Sequence, residues 1–404
     1  MLISKRKVAL FRENEIAIGV SRTPKRNTKL FCMFVVSFVL LSCIFGASFT
    51  VSARTYEDFE YKALENGTVE ITGYNGSATT VVIPEKINDY IVTSVGYNAF
   101  YNGYFIEEIH LPSTINYIYG AAFSGTGYYK NDDNWEDGVL YIDNYLIDAH
   151  DRKLPSELQI KEGTVLIAEG AFENCDSLEQ ITIPNSVIHI GNCAFKDCDS
   201  LKSIVIPDSV TNFEGFQTFS SCDALESAVI GNGIKKIGDG TFEECVNLTN
   251  VTIGENVTRI GGGAFAHTSI ENLEIPDSVE TISYRAFFMC NFLTTVKIGS
   301  GVKEIGEAAI NGNNIKQIIY NGSPEEWEKI EIGKNNDFPK DIEYIQSSSS
   351  NKQSNKKAQI KNDHSETKSP SVSVVWIIVS IVLLLFIASV IFWKFKKQPK
   401  NGEH

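Results

Sequence analysis

Apolar side chains recur along this chain in units of about 23 residues. One unit reads LEQITIPNSVIHIGNCAFKDCDS, and its L-x-x-I-x-I run alternates apolar and polar positions, which predicts a strand with one buried face. The Pro or Gly that follows ends the strand and starts a turn. The next apolar pair, in V-x-x-I-G, predicts a second segment on the opposite side of the coil, with its apolar side chains turned toward those of the strand. A fixed period of this length indicates a solenoid of stacked coils.

A phenylalanine, usually preceded by alanine, marks each unit and predicts a stack of rings along the centre of the coils. The step from Phe123 to Phe172 is longer, because an insertion of about 26 residues is added to one period. We expect about eight or nine coils and a mostly β fold of stacked parallel strands. The marker positions are Phe100, Phe123, Phe172, Phe195, Phe219, Phe242, Phe265, Phe287 and Ile310.

The insertion, residues 127–158, has two apolar runs on either side of Asp143-Asn144, which predicts a hairpin with a two-residue turn. Its aromatic residues are our candidate binding residues, because aromatics on a projecting segment are typical of contact hot spots. The alternative is that they pack the hairpin onto the adjacent coil. The spacing of its aspartates fits no EF-hand loop, so we expect no metal site. The candidate binding residues are Tyr128, Tyr129, Trp135, Tyr141 and Tyr145.

The unit resembles the leucine-rich repeat of the BspA-like family. The motif I-P-x-x-V-x-x-I-G-x-x-A-F-x-x-C stands at residues 183–198 and, with Gly in place of Pro, nearly intact at residues 230–245. The resemblance covers about residues 75–335, and segments 71–100 and 318–337 are similar to the family's end segments. It implies a leucine-rich repeat solenoid on the cell surface, and it implies adhesion to host or bacterial partners as one function of members.

An apolar segment precedes the repeats. No charged residue lies between Lys29 and Arg54, and the small residues at 51–53 fit a signal-peptidase site after Ala53. This pattern predicts an N-terminal signal sequence. An uncleaved membrane anchor and a lipoprotein signal ending at Cys43 are the alternatives.

A second apolar segment, residues 372–393, follows the repeats. Its 22 uncharged residues would span about 33 Å as a helix, enough to cross the hydrocarbon core of a bilayer. Trp376 and Trp393 suit interfacial anchors, and the lysines that follow place the tail in the cytoplasm by the positive-inside rule. We therefore expect a cell-membrane protein with a single C-terminal transmembrane helix, extracellular repeats and a short basic cytoplasmic tail.

This organisation predicts several segments along the chain. A polar stretch rich in Ser and Lys precedes the second apolar segment and cannot bury a core, so we expect a flexible stalk there. The open ends of a solenoid expose strands and apolar surface, so we expect a cap at each end. The segments are a signal peptide or anchor (1–53), an N-terminal cap and first coil (54–95), a leucine-rich repeat solenoid (96–320) with the hairpin insert (127–158), a C-terminal cap (321–345), a flexible stalk (346–371), a transmembrane helix (372–393) and a cytoplasmic tail (394–404).

The charge of the chain limits its partners. The formal net charge is −14, and residues 54–345 contain 45 Asp and Glu against 19 Lys and Arg. Such a surface repels nucleic acid and favours basic or neutral partners, so we expect no nucleic-acid ligand. The alternative is that the negative charge only keeps the surface of an exported protein soluble.

Five cysteines lie three residues after a marker phenylalanine, where two other units have Thr126 and Thr268. This exchange predicts a small buried side chain rather than a required disulfide. The alternative is a disulfide, with Cys193 and either Cys175 or Cys198 as the best pair. We also expect that serine in place of Cys198 would leave a hydroxyl without a partner in the core.

The sequence contains no HExxH, GxSxG or Walker motif, so we expect no enzyme activity and no cofactor. A solenoid presents a broad surface, which favours binding to an extracellular protein or glycan ligand. The alternative is a structural envelope protein without a ligand that acts as a spacer. A hydrolase with a diffuse active site is a third possibility.

Overall fold

The computed structural model of this 404-residue chain describes residues 54–213, 215–312 and 314–345. The predicted signal segment (1–53), stalk (346–371), transmembrane helix (372–393) and tail (394–404) lie outside the described residues. In the part that is described, no helix is long and apolar enough to cross a membrane.

The described chain forms a mostly β solenoid of about 12 turns with few helices. This exceeds the eight or nine coils expected from the repeats, because the end segments and the insert add strands to the same ladders. The first strands are β1 (Arg54–Tyr56), β2 (Phe59–Ala63), β3 (Val69–Tyr74), β4 (Thr80–Val82), β5 (Lys86–Ile87), β6 (Tyr90–Val95), β7 (Glu108–His110), β8 (Tyr117–Ile118), β9 (Trp135–Glu136), β10 (Val139–Ile142), β11 (Tyr145–Ala149), β12 (Glu157–Gln159), β13 (Leu166–Ile167) and β14 (Gln180–Thr182).

The remaining strands continue the same two ladders to the C-terminal end of the described chain. They are β15 (His189–Ile190), β16 (Ser203–Ile206), β17 (Asn212–Phe213), β18 (Ser227–Ile230), β19 (Lys236–Ile237), β20 (Asn250–Thr252), β21 (Arg259–Ile260), β22 (Asn272–Ile275), β23 (Thr281–Ile282), β24 (Thr295–Ile298), β25 (Glu304–Ile305), β26 (Gln317–Tyr320), β27 (Glu331–Ile332) and β28 (Glu343–Tyr344).

The first ladder contains the L-x-x-I-x-I strands, which pair in parallel from coil to coil. Its pieces are β4-β7, β12-β14-β16-β18-β20 and β22-β24-β26-β28. Ile204, Val205 and Ile206 of β16 are 1%, 58% and 1% exposed, so the predicted alternation of buried and exposed positions is confirmed here.

The second ladder contains the two-residue strands of the opposite wall. The strands β13, β15 and β17 pair in parallel, as do β19, β21, β23, β25 and β27. Strands β10 and β11 of the insert form an antiparallel hairpin around Asp143-Asn144. Strand β11 also pairs in parallel with β13, whereas β8 pairs with β6. The insert therefore enters the second ladder and interrupts it between β8 and β13.

Six phenylalanine rings stack along the centre of the coils, as the sequence predicts. From Phe172 to Phe287 the ring centroids lie 5.0–5.3 Å apart and successive ring planes differ by 1–10°. All six side chains are fully buried. Each coil therefore packs chiefly on its two neighbours, which is the basis of solenoid stability.

Two residues with left-handed backbone flank the marker phenylalanine and turn the chain sharply. The position two residues before the marker has a positive φ in every marked coil, and the position two residues after it does so in every coil from Phe123 onward. Cys193 stands at the first of these positions, with φ 53°, which explains why it departs from the cysteine ladder. The first positions are Asn98, Ala121, Gly170, Cys193, Gln217, Gly240, Gly263, Arg285 and Ala308.

The glycine of the V-x-x-I-G segment lets neighbouring coils approach closely. A Cβ at Gly191 would lie 2.5 Å from the backbone nitrogen of Glu169, and one at Gly306 would lie 2.6 Å from that of Tyr284. Neither glycine has a positive φ. The glycine is therefore required by close contact between coils rather than by a left-handed backbone conformation.

The cysteine ladder is buried, and all six described cysteines have free thiols. The thiol of Cys198 donates to the carbonyl oxygen of Phe172 (3.1 Å), and that of Cys245 donates to Phe219 (2.9 Å). Thr268 donates its hydroxyl to the carbonyl oxygen of Phe265, the marker of its own coil (2.9 Å). A hydroxyl at this position therefore has an acceptor, and the expectation that serine at 198 would lack a partner is wrong.

The ends of the stack are covered by short elements. Helix α2 (Pro324–Trp327) follows the last repeat, whereas helix α1 (Gly127–Lys130) begins the insert and lies within the stack. Ser323 and Glu326 form a capping box on α2, and Trp327 packs its ring 5.2 Å from that of Tyr320. At the other end β1, β2 and β3 form an antiparallel sheet that joins β6.

Candidate functional site

The five candidate aromatics lie together on the insert, but they differ in exposure. Tyr145 is 3% exposed and belongs to the core. The other four are half-buried and pack against the core. Only parts of these four rings therefore face solvent.

The indole of Trp135 is held between the insert strands and α1. Its Nε1–H donates to the carbonyl oxygen of Tyr129 (2.9 Å), and the two rings meet edge to face at 5.2 Å. The Tyr129 hydroxyl in turn donates to Asp148 Oδ2 (2.7 Å). Burial raises the pKa of Asp148, although the hydrogen bond from Tyr129 acts in the opposite direction.

The remaining three candidates also have partners for their hydroxyl groups. Tyr128 donates to the carbonyl oxygen of Tyr141 (2.8 Å), and Tyr145 donates to that of Pro112 (2.7 Å). The Tyr141 hydroxyl accepts from the backbone N–H of Lys161 (3.3 Å). These contacts show the packing of the hairpin onto the coils, while ligand contact by the exposed ring edges stays a prediction.

Three more exposed tyrosines lie beside the insert and are here named the tyrosine surface: Tyr97, Tyr101 and Tyr104. Their side chains are 67%, 56% and 74% exposed. Their loop adjoins the start of the insert, because a Cβ at Gly125 would lie 2.3 Å from the carbonyl oxygen of Tyr101, and one at Gly127 would lie 2.9 Å from that of Tyr104. Large exposed aromatics in one region are typical of contact surfaces.

The tyrosine surface is not among the residues predicted from the sequence, although a signal was present. The segment YNAFYNGYF surrounds the first marker and is unusually rich in aromatics. At the position of Tyr97, three residues before the marker, later coils have Glu169, Asn192 and Asp239. Phe216 and Tyr284 hold this position in two other coils, so the available sign was the concentration of aromatic residues around the first marker and not this position alone.

A small acidic cavity lies between Tyr97 of the tyrosine surface and part of the insert. It has a volume of about 330 Å³, and Tyr97 and Tyr129 are among the residues that line it. The carboxylates of Asp148, Glu169 and Glu173 line it as well. This part of the solenoid therefore combines aromatic rings with negative charge, a combination that suits basic groups of a partner.

The tip of the hairpin is fastened to strand β7. Asp143 accepts a hydrogen bond from the backbone N–H of Leu111 (2.8 Å), and His110 Nδ1 lies 3.4 Å from Asp143 Oδ1. The hydrogen bond with Asp143 raises the pKa of His110, and Glu108 contributes in the same direction. The insert is thus held at its tip as well as along β11.

The described residues give no sign of a catalytic or metal centre. Among them no group of three or more His, Cys, Asp or Glu side chains could hold a metal ion. His189 is paired with the side chain of Asn212 (2.8 Å), and burial lowers the pKa of His189. His267 stands at a left-handed turn position with φ 63°.

Several bacterial structures share features with this chain. It is 22% identical to a leucine-rich cell surface protein of Faecalibacterium prausnitzii A2-165, with 70% of this chain and 99% of that chain covered and a TM-score of 0.33. It is 27% identical to a leucine-rich repeat protein of Bacteroides ovatus, with 66% and 70% covered and a TM-score of 0.34. A leucine-rich repeat protein of T. pallidum is 28% identical, with 54% and 89% covered and a TM-score of 0.27.

No curated protein matches the chain. One family model, described as "BspA type Leucine rich repeat region (6 copies)", matches well over half of it and confirms the resemblance in the repeat motif. The matched residues are 74–152, 93–216, 149–261, 215–331 and 260–373. The chain belongs to the BspA-type leucine-rich repeat family.

Proposed function

We propose that this protein is a membrane-anchored cell-surface receptor or adhesin that binds an extracellular protein or glycan through its repeats. Binding is non-covalent and occurs at the first coils, where the tyrosine surface meets the insert. The exposed edges of Tyr128, Tyr129, Trp135 and Tyr141 extend the contact surface, and buried Tyr145 supports it from below.

The observation that carries this proposal is the exposure of the tyrosine surface. Tyr97, Tyr101 and Tyr104 are more than half exposed, whereas the marker phenylalanines are fully buried. Tyrosine gives a large, rigid and amphipathic contact area at a low entropic cost, which is why it is enriched at binding surfaces. The neighbouring carboxylates favour a partner with basic groups in the contact.

Anchoring is part of the proposal and rests on the sequence of residues 372–393 and the lysines that follow. Protease added to intact cells should remove residues 55–345 and leave an epitope on the tail 394–404 protected. A tail epitope that antibodies reach on unpermeabilised cells would contradict this topology.

The binding test uses the full chain displayed on cells or captured on beads, with matrix proteins and neighbouring cells as the probes. Tyr97→Ala and Tyr104→Ala should each weaken binding, by about 2 kcal/mol for a hot spot, and Trp135→Ala should weaken it less. Tyr284→Ala is the matched control, because Tyr284 is 49% exposed and also lies three residues before a marker phenylalanine.

The outcomes separate the candidate functions. Binding that the Tyr97 and Tyr104 variants weaken and the Tyr284 variant preserves supports recognition at the tyrosine surface. Equal loss in all three variants would contradict a localised site. A parent chain that captures nothing from these probes would favour the alternative, a structural envelope protein that acts as a spacer.

A further inference from the structure

A cleft of about 390 Å³ lies where the insert interrupts the second ladder, and the three residues of the tyrosine surface do not line it. Three residues at paired positions of β3, β6 and β8 line one side, and three at paired positions of β13, β15 and β17 line the other. An uninterrupted ladder would have no such gap. The residues of the first row are Glu70, Ser94 and Tyr117, and those of the second row are Leu166, His189 and Asn212.

Two adjacent side chains of the first row have oxygen atoms without a hydrogen-bond partner among the described residues. They are Glu70 Oε2 and Ser94 Oγ, and the two residues are 3% and 4% exposed. A buried polar atom without a partner destabilises a fold, and in native proteins such atoms are usually satisfied by protein, water or ligand. A ligand hydroxyl group has both functions that these atoms need, a donor for the Glu70 carboxylate and an acceptor for the Ser94 hydroxyl.

The charges around the cleft favour a neutral ligand. Glu70 is the carboxylate among the lining residues, and Lys62 Nζ lies 2.7 Å from its Oε1 and balances its charge. Burial lowers the pKa of His189, the other titratable side chain that could carry charge here at neutral pH. An ion entering the cleft would therefore find no uncompensated opposite charge among the lining side chains.

The rest of the lining suits a ligand with one polar edge and one apolar face. Tyr117 and Tyr119 contribute aromatic rings that meet at 4.7 Å, and Leu166 adds apolar surface. Asn116 and Asn192 place amide groups beside them. The volume falls in the range of about 300–1,000 Å³ that small-ligand pockets occupy.

We propose that this cleft binds a neutral saccharide unit, whose hydroxyl groups hydrogen bond to Glu70 and Ser94 while its C–H face packs against the tyrosine rings. The inference rests on the proposed function in that it gives the surface protein a glycan ligand. Its site is separate from the tyrosine surface, so the two can be tested apart.

The experiment titrates the purified full chain with glucose, galactose, mannose and N-acetylglucosamine by ligand-observed NMR. Glucosamine and glucuronate serve as cationic and anionic comparators. We expect a Kd of about 1 mM for at least one neutral sugar. Ser94→Ala should raise this Kd roughly fivefold and Glu70→Gln roughly tenfold, because each removes a hydrogen bond to the ligand.

Ser283→Ala is the matched control. The hydroxyl of Ser283 is also buried and without a partner among the described residues, but it does not line this cleft. Neither serine variant loses a protein hydrogen bond, so both should melt near the parent temperature, and only Ser94→Ala should weaken sugar binding. If Glu70→Gln fails to fold because Lys62 loses its partner, the pair of serine variants still decides the question.

Three results would overturn the inference: no neutral sugar of the panel binds, Ser94→Ala leaves sugar binding unchanged, or a charged comparator binds more tightly than every neutral sugar. Tyr97→Ala should leave sugar binding intact. A chain that binds sugar but captures no macromolecular partner would refute recognition at the tyrosine surface and support the cleft. A chain that captures a macromolecular partner but binds no sugar would refute the cleft and support the tyrosine surface.

Discussion

Phe219 at the middle of the ring stack offers a quantitative test of how the coils hold together. Its side chain is fully buried, and its ring lies 5.1 Å from that of Phe195 and 5.2 Å from that of Phe242. Phe219→Ala removes both ring contacts and leaves a cavity, which costs about 3–5 kcal/mol of the free energy of unfolding. The two ring pairs contribute about 0.5–1.5 kcal/mol each to this cost.

Phe219→Leu separates the volume of the ring from its stacking. Leucine fills most of the space, and the chain itself places buried Ile310 at a marker position, so an aliphatic side chain is compatible with a coil. We expect Phe219→Leu to cost about 1–2 kcal/mol, less than half the cost of alanine.

The assay is urea unfolding of the full chain, followed by tyrosine and tryptophan fluorescence. Phe216→Ala is the matched control, because Phe216 lies in the same coil but is 49% exposed, and its loss should change stability by no more than about 0.5 kcal/mol. Equal destabilisation by Phe216→Ala and Phe219→Ala would refute the reasoning. So would a Phe219→Ala variant within 1 kcal/mol of the parent, roughly the value of one ring pair alone.

Three further predictions concern the thiols, the hairpin tip and the insert. Burial raises the pKa of the Cys290 thiol to about 11, so at pH 8 this thiol should resist alkylation in the folded protein. Burial also raises the pKa of Cys193, but its half-buried thiol is accessible and should react faster than that of Cys290. In urea both should be labelled, and a thiol that stays unlabelled by mass spectrometry would indicate a disulfide. Asp143 raises the folded-state pKa of His110 above 6.5. The contribution of the His110–Asp143 pair to hairpin attachment should therefore be complete below pH 6.5 and be lost as the pH rises through the raised pKa. Amide exchange in β10 and β11 measures this loss, and a His110→Gln chain with the same pH dependence would contradict it. Replacing residues 130–154 by a short Gly/Ser bridge should lower the melting temperature, because β11 pairs with β13 and buries its side chains, and an unchanged melting temperature would show that the hairpin adds nothing to the core.

The repeat explains why so much of the fold could be predicted. A period of about 23 residues places Phe195 and Phe219 at equivalent points of successive coils, so the ring stack and both ladders follow from spacing alone. The pairing of β11 with β13 could not be predicted, since the insert lies outside the period and its partner is set by packing. For that reason the sequence favours aromatic residues of the insert that project from the solenoid, whereas they pack against its core.

Other details depend on three-dimensional context that no single unit contains. Cys193 was a candidate for a disulfide because it departs from the ladder, but its position requires a left-handed turn that Gln217 and Arg285 also adopt. The acceptor for the Cys198 thiol is a carbonyl of the preceding coil, 26 residues away in sequence. The exposure of Tyr104 likewise depends on how the insert leaves the stack.

The close spacing of the coils has a mechanical consequence. Each unit of about 23 residues advances the stack by only 5.0–5.3 Å, whereas the same residues fully drawn out would span about 80 Å. Since a coil packs chiefly on its two neighbours, a pull on the two ends would peel coils from the end of the stack one at a time. Each released coil would extend to about fifteen times its folded height. A chain held at one end by a membrane and at the other by a bound partner would thus yield gradually under load, and the coils still stacked would keep their surface intact.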